Sequence, residues 1–264
     1  AMDFLEIEES VVSTKKDMPC PHSHDYYELY FLLDGTREFF IGNKMFVIGK
    51  NSLVIVPPFY MHKTEGGPYK RINVNISENL LSEGIKRFIK GSEKETAISF
   101  CGETETLVTS LLKEGVKIQR SAMPYKTDCL LSLVKTLLYV LAESENRLIP
   151  AASGVSARSS DTETLKIVRY INENYTSGLT LSDICANFYI SKVTLCNRFR
   201  AAMHCSVKEY IQSLRINKAR ELLSATDKSM EEISRLCGFS SANYFGLAFK
   251  KETGLSPFNY KKSR

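Results

Sequence analysis

The sequence lacks the features of a membrane, secreted or disulfide-stabilised protein. It has no run of about eighteen apolar residues, and its N-terminus lacks the basic start and apolar core of a signal peptide. The seven cysteines are odd in number and show no CxxC spacing. We therefore expect a cytoplasmic protein with reduced thiols and no membrane partner.

Two domains are expected from the length of 264 residues and the hydrophobic content of 43%. Residues 149–161 are small, polar and without periodicity, which is typical of a linker. The sequence therefore predicts an α+β chain, with a β-rich domain that ends in helices at 1–148 and an all-α domain at 162–264. The second domain carries 16 Lys and Arg against 9 Asp and Glu, whereas residues 1–161 carry 19 against 21. This basic end is the one suited to nucleic acid.

The all-α domain contains an internal repeat with a period of about fifty residues. Residues 181–203 align with residues 230–252, so that Ile184 matches Ile233. Each copy reads as a short helix, a tight turn and a second helix, which is the plan of a helix-turn-helix unit. Residues 206–223 between the copies have a helical period. A helix about 27 Å long can place the second helix of each unit, called here the reading helix, in successive major grooves.

Capping residues mark where the helices of the repeat begin. Ser229 with Glu232 forms a capping box, and Thr180 with Asp183 forms a weaker one. The predicted N-caps of the two second helices are Ser191 and Ser241.

The turns of the two copies differ in sequence. Gly238 supplies a residue that tolerates positive φ, whereas Tyr189 stands at that place in the first copy. We therefore expect the first turn to be built differently from the second.

Helical geometry separates a packing stripe from an outward face on each second helix. A solvated face with ordinary charges is the alternative for one copy, but matched positions in two copies favour DNA contact. The candidate DNA-binding residues are Lys192, Val193, Cys196, Asn197 and Arg200 in the first unit, and Ser241, Asn243, Gly246, Leu247 and Lys250 in the second.

Three stretches resemble the AraC/XylS family of transcription regulators. They are ICANFYISKVTLCNRF at 184–199, RINKARELL at 215–223 and GFSSANYFGLAFKKETGLSPFNY at 238–260. The resemblance implies a regulator that binds double-stranded promoter DNA, works with RNA polymerase and responds to a small molecule. It favours an activator and a sugar or sugar derivative as the effector.

One departure from that family concerns the second reading helix, where Leu247 stands in place of a common arginine. The first helix offers Val193 and Cys196 beside Asn197. Arginine is the usual reader of guanine, whereas apolar side chains touch thymine methyl groups and asparagine prefers adenine. We therefore expect an AT-rich site with much of the discrimination in DNA shape.

Short alternating segments separated by Gly and Asn turns fill residues 26–56, which predicts a small antiparallel barrel or sandwich. Histidine is scarce, but three of the four histidines lie here or beside it. The spacing H-x-H-x3-E-x6-G at 22–35 resembles the cupin motif and implies a cupin-like barrel. The candidate effector or metal residues are His22, His24, Glu28 and His62.

The residue types at this site leave its ligand open. Three imidazoles and a carboxylate suit a divalent metal, and the same groups suit hydrogen bonds to an organic effector. No other cofactor is predicted. An apolar and aromatic lining is the usual make-up of a small-molecule pocket, but the same residues also suit a plain core: Tyr26, Tyr30, Phe39, Phe46, Tyr60 and Arg37.

Residues 78–146 have a helical pattern that ends in a wide apolar stripe. By the family resemblance we expect a homodimer through this stripe, formed by Leu130, Val134, Leu137, Leu138 and Leu141. A helix buried against its own barrel is the alternative.

A regulator is the function favoured by these features taken together. A cupin enzyme is disfavoured, because no second acid/base set accompanies Glu28. The same residues also leave open a metal-sensing regulator and a structural nucleoid-binding protein.

Overall fold

The computed structural model describes residues 4–92, 97–143, 149–150 and 159–263. The predicted linker is described only at its two ends, where Ile149–Pro150 forms a short strand and a helix begins at Ser159. Residues 151–158 lie outside the described residues. None of the described helices is long and apolar enough to cross a membrane.

The N-terminal domain consists of two antiparallel sheets. The strand bounds are β1 Leu5–Val12, β2 Tyr27–Gly35, β3 Arg37–Ile41, β4 Lys44–Ile48, β5 Ser52–Val56, β6 His62–Glu65, β7 Tyr69–Ile76, β8 Ala97–Ser99 and β9 Ile149–Pro150. The strands predicted within residues 26–56 are thus confirmed. The large sheet has the order β1-β7-β2-β5-β8-β9, and the small sheet has the order β4-β3-β6.

The closed barrel implied by the cupin resemblance is not present. Among the strands that the structure describes, no ladder joins the large sheet to the small one. One side of β5 pairs with β2 and the other with β8, so β5 has no free edge with which to close on the small sheet. The domain is therefore a sandwich whose interior contains a cluster of aromatic and aliphatic side chains that includes Tyr30, Phe39 and Ile48.

The two faces of the central strand β2 have different partners, because side chains alternate along a strand. Leu29 and Phe31 point to the outer face, where they join a core made with three helices. Glu28 and Tyr30 point between the sheets. The three helices are α1 Glu83–Ser92, α2 Gly102–Arg120 and α3 Lys126–Glu143.

The apolar stripe predicted to form a dimer contact lies on α3, but its side chains are not available to a partner. All five are buried in the core between α3 and the large sheet: Leu130, Val134, Leu137, Leu138 and Leu141. The structure therefore contradicts the residues assigned to the dimer contact and agrees with the alternative, a helix packed on its own domain. The apolar stripe is wider than one packing face because α3 contacts α1, α2 and the large sheet.

The C-terminal domain is helical, as predicted, and a single long helix joins its two cores. Ile211 of this helix lies in the first core, and Ile216 and Leu223 lie in the second. The bounds are α4 Ser159–Asn174, α5 Leu181–Phe188, α6 Lys192–Met203, α7 Val207–Ala225, α8 Met230–Leu236, α9 Ala242–Thr253 and α10 Pro257–Lys262.

The small sheet of the N-terminal domain packs against the C-terminal domain. Phe40 and Met61 are buried in the first helical core. Lys63 Nζ donates to the carbonyl oxygen of Ala202, at the C-terminal end of α6, over 3.1 Å. Asn172 Nδ2 donates to the carbonyl oxygen of Gly42 over 2.9 Å. The two domains are therefore held together by both apolar and polar contacts.

Candidate functional site

Two helix-turn-helix units stand at the predicted positions, α5 with α6 and α8 with α9. The predicted capping boxes of Thr180 and Ser229 are both confirmed. The predicted N-caps are confirmed as well, since Ser191 Oγ accepts from the amide of Thr194 and Ser241 Oγ accepts from that of Tyr244. These caps satisfy amides that the first turn of a helix leaves unpaired, and so fix where each second helix begins.

The two turns share a left-handed residue at the matched position but differ in length. Tyr189 has φ 52° and Gly238 has φ 80°, both in the left-handed region. Residues 189–191 separate α5 from α6, whereas residues 237–241 separate α8 from α9. The expectation of a differently built first turn is therefore wrong for the conformation at this position and correct for the length of the turn. Tyr189 tolerates this conformation with its ring 95% exposed, whereas a Cβ at Gly238 would lie 2.8 Å from the backbone of Thr176. Only the second turn needs glycine, because only there does another chain segment approach closely.

The outward faces of the two second helices point to solvent. Leu195, Phe199 and Phe245 are buried, which confirms the packing stripe. Val193 and Leu247, two large apolar side chains, are 70% and 71% exposed. The other DNA-binding candidates are exposed too, except half-buried Gly246: Lys192, Cys196, Asn197, Arg200, Ser241, Asn243 and Lys250.

The histidine cluster lies at the end of the sandwich that faces the C-terminal domain. One ligand atom from each of His22, His24 and His62 lies within 4.8 Å of the others. His24 Nε2 and His62 Nε2 are 3.1 Å and 3.2 Å from Glu28 Oε2. Backbone hydrogen bonds between residues 22 and 62 hold the two segments side by side. The four candidate residues of the N-terminal domain are thus brought together.

The hydrogen bonds of the cluster define which histidine nitrogens face the carboxylate. His24 Nδ1 lies 2.8 Å from the carbonyl oxygen of Tyr26, and His62 Nδ1 lies 3.0 Å from that of Tyr60. A carbonyl oxygen only accepts, so both Nδ1 atoms carry the proton and both Nε2 atoms face Glu28. An imidazole lone pair does not stabilise a carboxylate. Each Nε2 therefore needs a proton or a cation.

The charges of the cluster are strongly perturbed. Burial acts to raise the pKa of Glu28, but hydrogen bonds and charge from His24 and His62 outweigh it and hold that pKa far below its usual value. The side chain of His22 is partly exposed on the side of the domain junction. Desolvation of its ring and the neighbouring His62 nevertheless lower the pKa of His22 to about 4. The cluster thus combines an anionic carboxylate with an imidazole that stays neutral at neutral pH.

A row of polar side chains that was not predicted from the sequence continues from this cluster along β7. Asn73 Nδ2 donates to Glu28 Oε1 over 2.6 Å. Three buried atoms have no hydrogen-bond partner among the described residues: Asn73 Oδ1, Asn75 Oδ1 and Arg71 Nε. The pairing of β2 with β7 places Asn75 opposite Glu28, Asn73 opposite Tyr30 and Arg71 opposite Leu32. The alternation R-I-N-V-N-I at 71–76 is the signal that would have revealed this row.

The side chains expected from the sequence to line a pocket divide into four groups. Tyr30, Phe39 and Phe46 lie between the sheets as expected. Arg37 is fully buried, and its guanidinium donates to backbone carbonyls and to Thr64 Oγ1, which is a structural role. Tyr26 is half-buried and stacks on His24 at 4.0 Å. Tyr60 lies outside the sandwich, 49% exposed, at the junction of the domains.

Comparison with known proteins matches both domains. Residues 184–263 match a helix-turn-helix domain family and residues 16–81 match the AraC-like ligand binding domain family, and together these segments cover more than half of the chain.

Two curated relatives extend over nearly the whole chain, and a third matches part of it. The raffinose operon transcriptional regulatory protein RafR of Pediococcus pentosaceus is 26% identical, over 90% of this chain and 86% of its own length. The HTH-type transcriptional activator RhaR of Enterobacter sp. (strain 638) is 22% identical, over 91% and 86%. The melibiose operon regulatory protein of Escherichia coli (strain K12) is 36% identical, over 37% of this chain and 32% of its own length. These relatives are regulators and not enzymes.

Proposed function

Because the chain belongs to the AraC family of DNA-binding transcription regulators with a ligand-binding domain, we propose that it activates transcription when a sugar or sugar derivative binds inside its N-terminal sandwich. The observation that carries this proposal is the row of unpaired polar atoms on β7. Buried amide oxygens without partners are costly, and the hydroxyl groups of a sugar would satisfy them.

The chemistry of the row suits a polyhydroxylated compound. Asn73 Oδ1 and Asn75 Oδ1 accept hydrogen bonds, whereas Arg71 Nε donates one. A hydroxyl group does both, so one ligand with several hydroxyl groups can meet all three. The names of the raffinose and melibiose operon regulators support the same class of effector.

The direction of control and the oligomeric state in this proposal are taken from the family. RhaR is named an activator, and we propose the same direction of control here, exerted through RNA polymerase at the promoter. We further propose a homodimer. Its contact uses residues other than the five buried in the core of α3.

The proposed mechanism is a shift of populations between two domain arrangements. A ligand changes an equilibrium only by its difference in affinity for the two states. The interior row adjoins the histidine cluster, which in turn adjoins segments that contact the C-terminal domain. Binding would therefore favour one placement of the two reading helices.

Titration calorimetry with raffinose and melibiose tests this effector class. Asn75→Leu removes an unpaired acceptor, and Asn79→Leu changes an exposed asparagine nearby as the matched control. We expect binding of at least one sugar to wild type and to Asn79→Leu, and about tenfold weaker binding to Asn75→Leu. Equal affinity in the two variants would contradict an interior site.

A second candidate function is metal sensing, favoured by the tautomers of His24 and His62. Metal-binding histidines commonly donate their second ring N–H to a carbonyl, which both residues do. The Nε2 atom of His62 is buried and lies 3.2 Å from Glu28 Oε2, so both groups face the same point. The residues therefore fit a divalent ion held by three imidazoles and Glu28, which would add a positive charge next to the domain junction.

Elemental mass spectrometry on protein purified without a histidine tag or chelator separates the two candidates. Stoichiometric metal that disappears when His22, His24 and His62 are changed to Ala would establish a metal site. Absence of metal from wild type, with sugar binding intact, would leave the organic effector alone.

A further inference from the structure

A cavity of about 670 Å³ lies between the two domains, outside the sandwich. Its N-terminal wall is the β3–β4 turn together with residues 57–61, and its C-terminal wall is formed by α4 and α7. This volume lies in the range of small-molecule sites, which occur preferentially at domain interfaces. It is separate from the interior row on β7, none of whose residues lines it.

The side chains around this junction cavity include aromatic rings and amides beside apolar and charged groups. Phe59 and Tyr60 come from the N-terminal domain, and Tyr175 directly follows α4. Three asparagines complete the wall: Asn43, Asn172 and Asn217. Aromatic faces bind the C–H faces of a ring, and an amide both donates and accepts hydrogen bonds, as a hydroxyl group does.

One of these amides has a weak partner. Asn217 is buried, 6% exposed, and its Nδ2 donates to the thioether sulfur of Met61 over 3.4 Å. A thioether is a poor acceptor. A hydroxyl oxygen of a ligand in the cavity would be a stronger one.

The three charged side chains of the cavity wall each have a partner already, which favours an uncharged ligand: Glu78, Lys218 and Glu221. Lys218 Nζ lies 3.0 Å from Glu221 Oε2, so this pair is formed within α7 itself. A ligand anion would have to compete with Glu221 for Lys218, and a ligand cation would have to compete with Lys218 for Glu221.

We propose that this junction cavity is a second small-molecule site, which takes a neutral polyhydroxylated compound and ties residues 57–61 to α7. A ligand that touches both domains binds only when they are docked, so its binding free energy acts directly on the domain arrangement. The helix it touches, α7, also sets the spacing of the two reading helices.

The absence of tryptophan from the chain allows a site-specific test. Tyr60→Trp places the only indole of the protein in the junction cavity. Tyr139→Trp places one on α3, at 48% exposure against 49% for Tyr60, as the matched control. The full-length variants are titrated with raffinose, melibiose and sorbitol at millimolar concentrations, and the tryptophan fluorescence is measured.

We expect a saturable fluorescence change in Tyr60→Trp and none in Tyr139→Trp. Adding Asn43→Leu to Tyr60→Trp should weaken the apparent affinity about tenfold, whereas adding Asn75→Leu should leave it unchanged. That pattern distinguishes the junction cavity from the interior site.

Two results would overturn the proposal. A response that Asn75→Leu abolishes and Asn43→Leu does not affect would assign all binding to the interior site, and the proposed effector function would stand without a second site. No response of Tyr60→Trp to any of the three compounds would exclude this ligand class at the junction, while calorimetry on the wild type still decides the interior site independently.

Discussion

Ser23 Oγ donates a hydrogen bond to Asn217 Oδ1 over 2.7 Å, and this bond joins the histidine segment to the helix between the two reading units. His22 and His24, on either side of Ser23, point into the cluster. Met61, which directly precedes β6, contacts the same asparagine. A change at the histidines therefore has a short route to α7.

Removing this bond should weaken the coupling between effector and DNA. Ser23→Ala loses one hydrogen bond, worth about 1 kcal/mol, so the ratio of DNA affinities with and without effector should move toward one by about fivefold. Fluorescence anisotropy with a promoter fragment measures this ratio. Ser110→Ala, an exposed serine on α2, is the control and should leave the ratio unchanged.

The reading helices should discriminate through their asparagines. Asn197→Ala and Asn243→Ala should each cost about 1–3 kcal/mol in binding to the specific site and much less in binding to random DNA. Competition assays at fixed salt measure both affinities, and exposed Asn79→Ala serves as control. Equal losses on specific and random DNA would favour a structural nucleoid-binding protein.

Truncating the buried stripe of α3 should affect folding and not assembly. Leu138 is fully buried, so Leu138→Ala should lower the free energy of unfolding by about 2–5 kcal/mol. The neighbouring Tyr139→Ala, on the exposed side, should lower it far less. Chemical denaturation measures stability and light scattering measures mass. A dimer that dissociates in Leu138→Ala without loss of stability would contradict the packing described above.

The histidine cluster should make stability depend on pH. Desolvation of the ring and the nearby His62 lower the pKa of His22 from 6.5 to about 4, although Glu28 opposes them. Between these values the unfolded chain binds a proton at His22 that the folded chain does not bind. Stability should therefore fall as the pH drops from 6.5 to about 4.

Thermal denaturation of chelator-treated protein across that range tests this dependence. His22→Ala should flatten the fall, whereas His204→Ala, an exposed histidine, should retain it. The same slope in His22→Ala and wild type would show that another group is responsible.

The features predicted correctly from the sequence are those that depend on neighbours along the chain. The caps at Ser191 and Ser229 lie three residues from the amides they accept from, so the sequence contains both partners. The packing stripe was also predicted correctly, because helical periodicity places Leu195 and Phe199 on one face of α6. DNA contact by the opposite face stays a prediction.

The features predicted wrongly or missed depend on partners distant in sequence. The stripe of α3 shows that one face is apolar but does not identify what covers it. The polar row on β7 joins the histidine cluster only through the pairing of β2 with β7, which brings Glu28 within hydrogen-bond distance of Asn73, 45 residues away. Tyr60 was expected among the lining residues of the barrel, but the packing of the second domain places it at the junction cavity.

In vitro selection from a random double-stranded DNA library, with and without the effector, shows whether the two reading helices recognise a specific sequence. We expect enrichment of an AT-rich site with two half-sites about 10 base pairs apart, one for each reading helix. Guanines under both reading helices would contradict the predicted readout. Binding with no enriched sequence would contradict the assignment of the exposed faces of α6 and α9 as sequence readers.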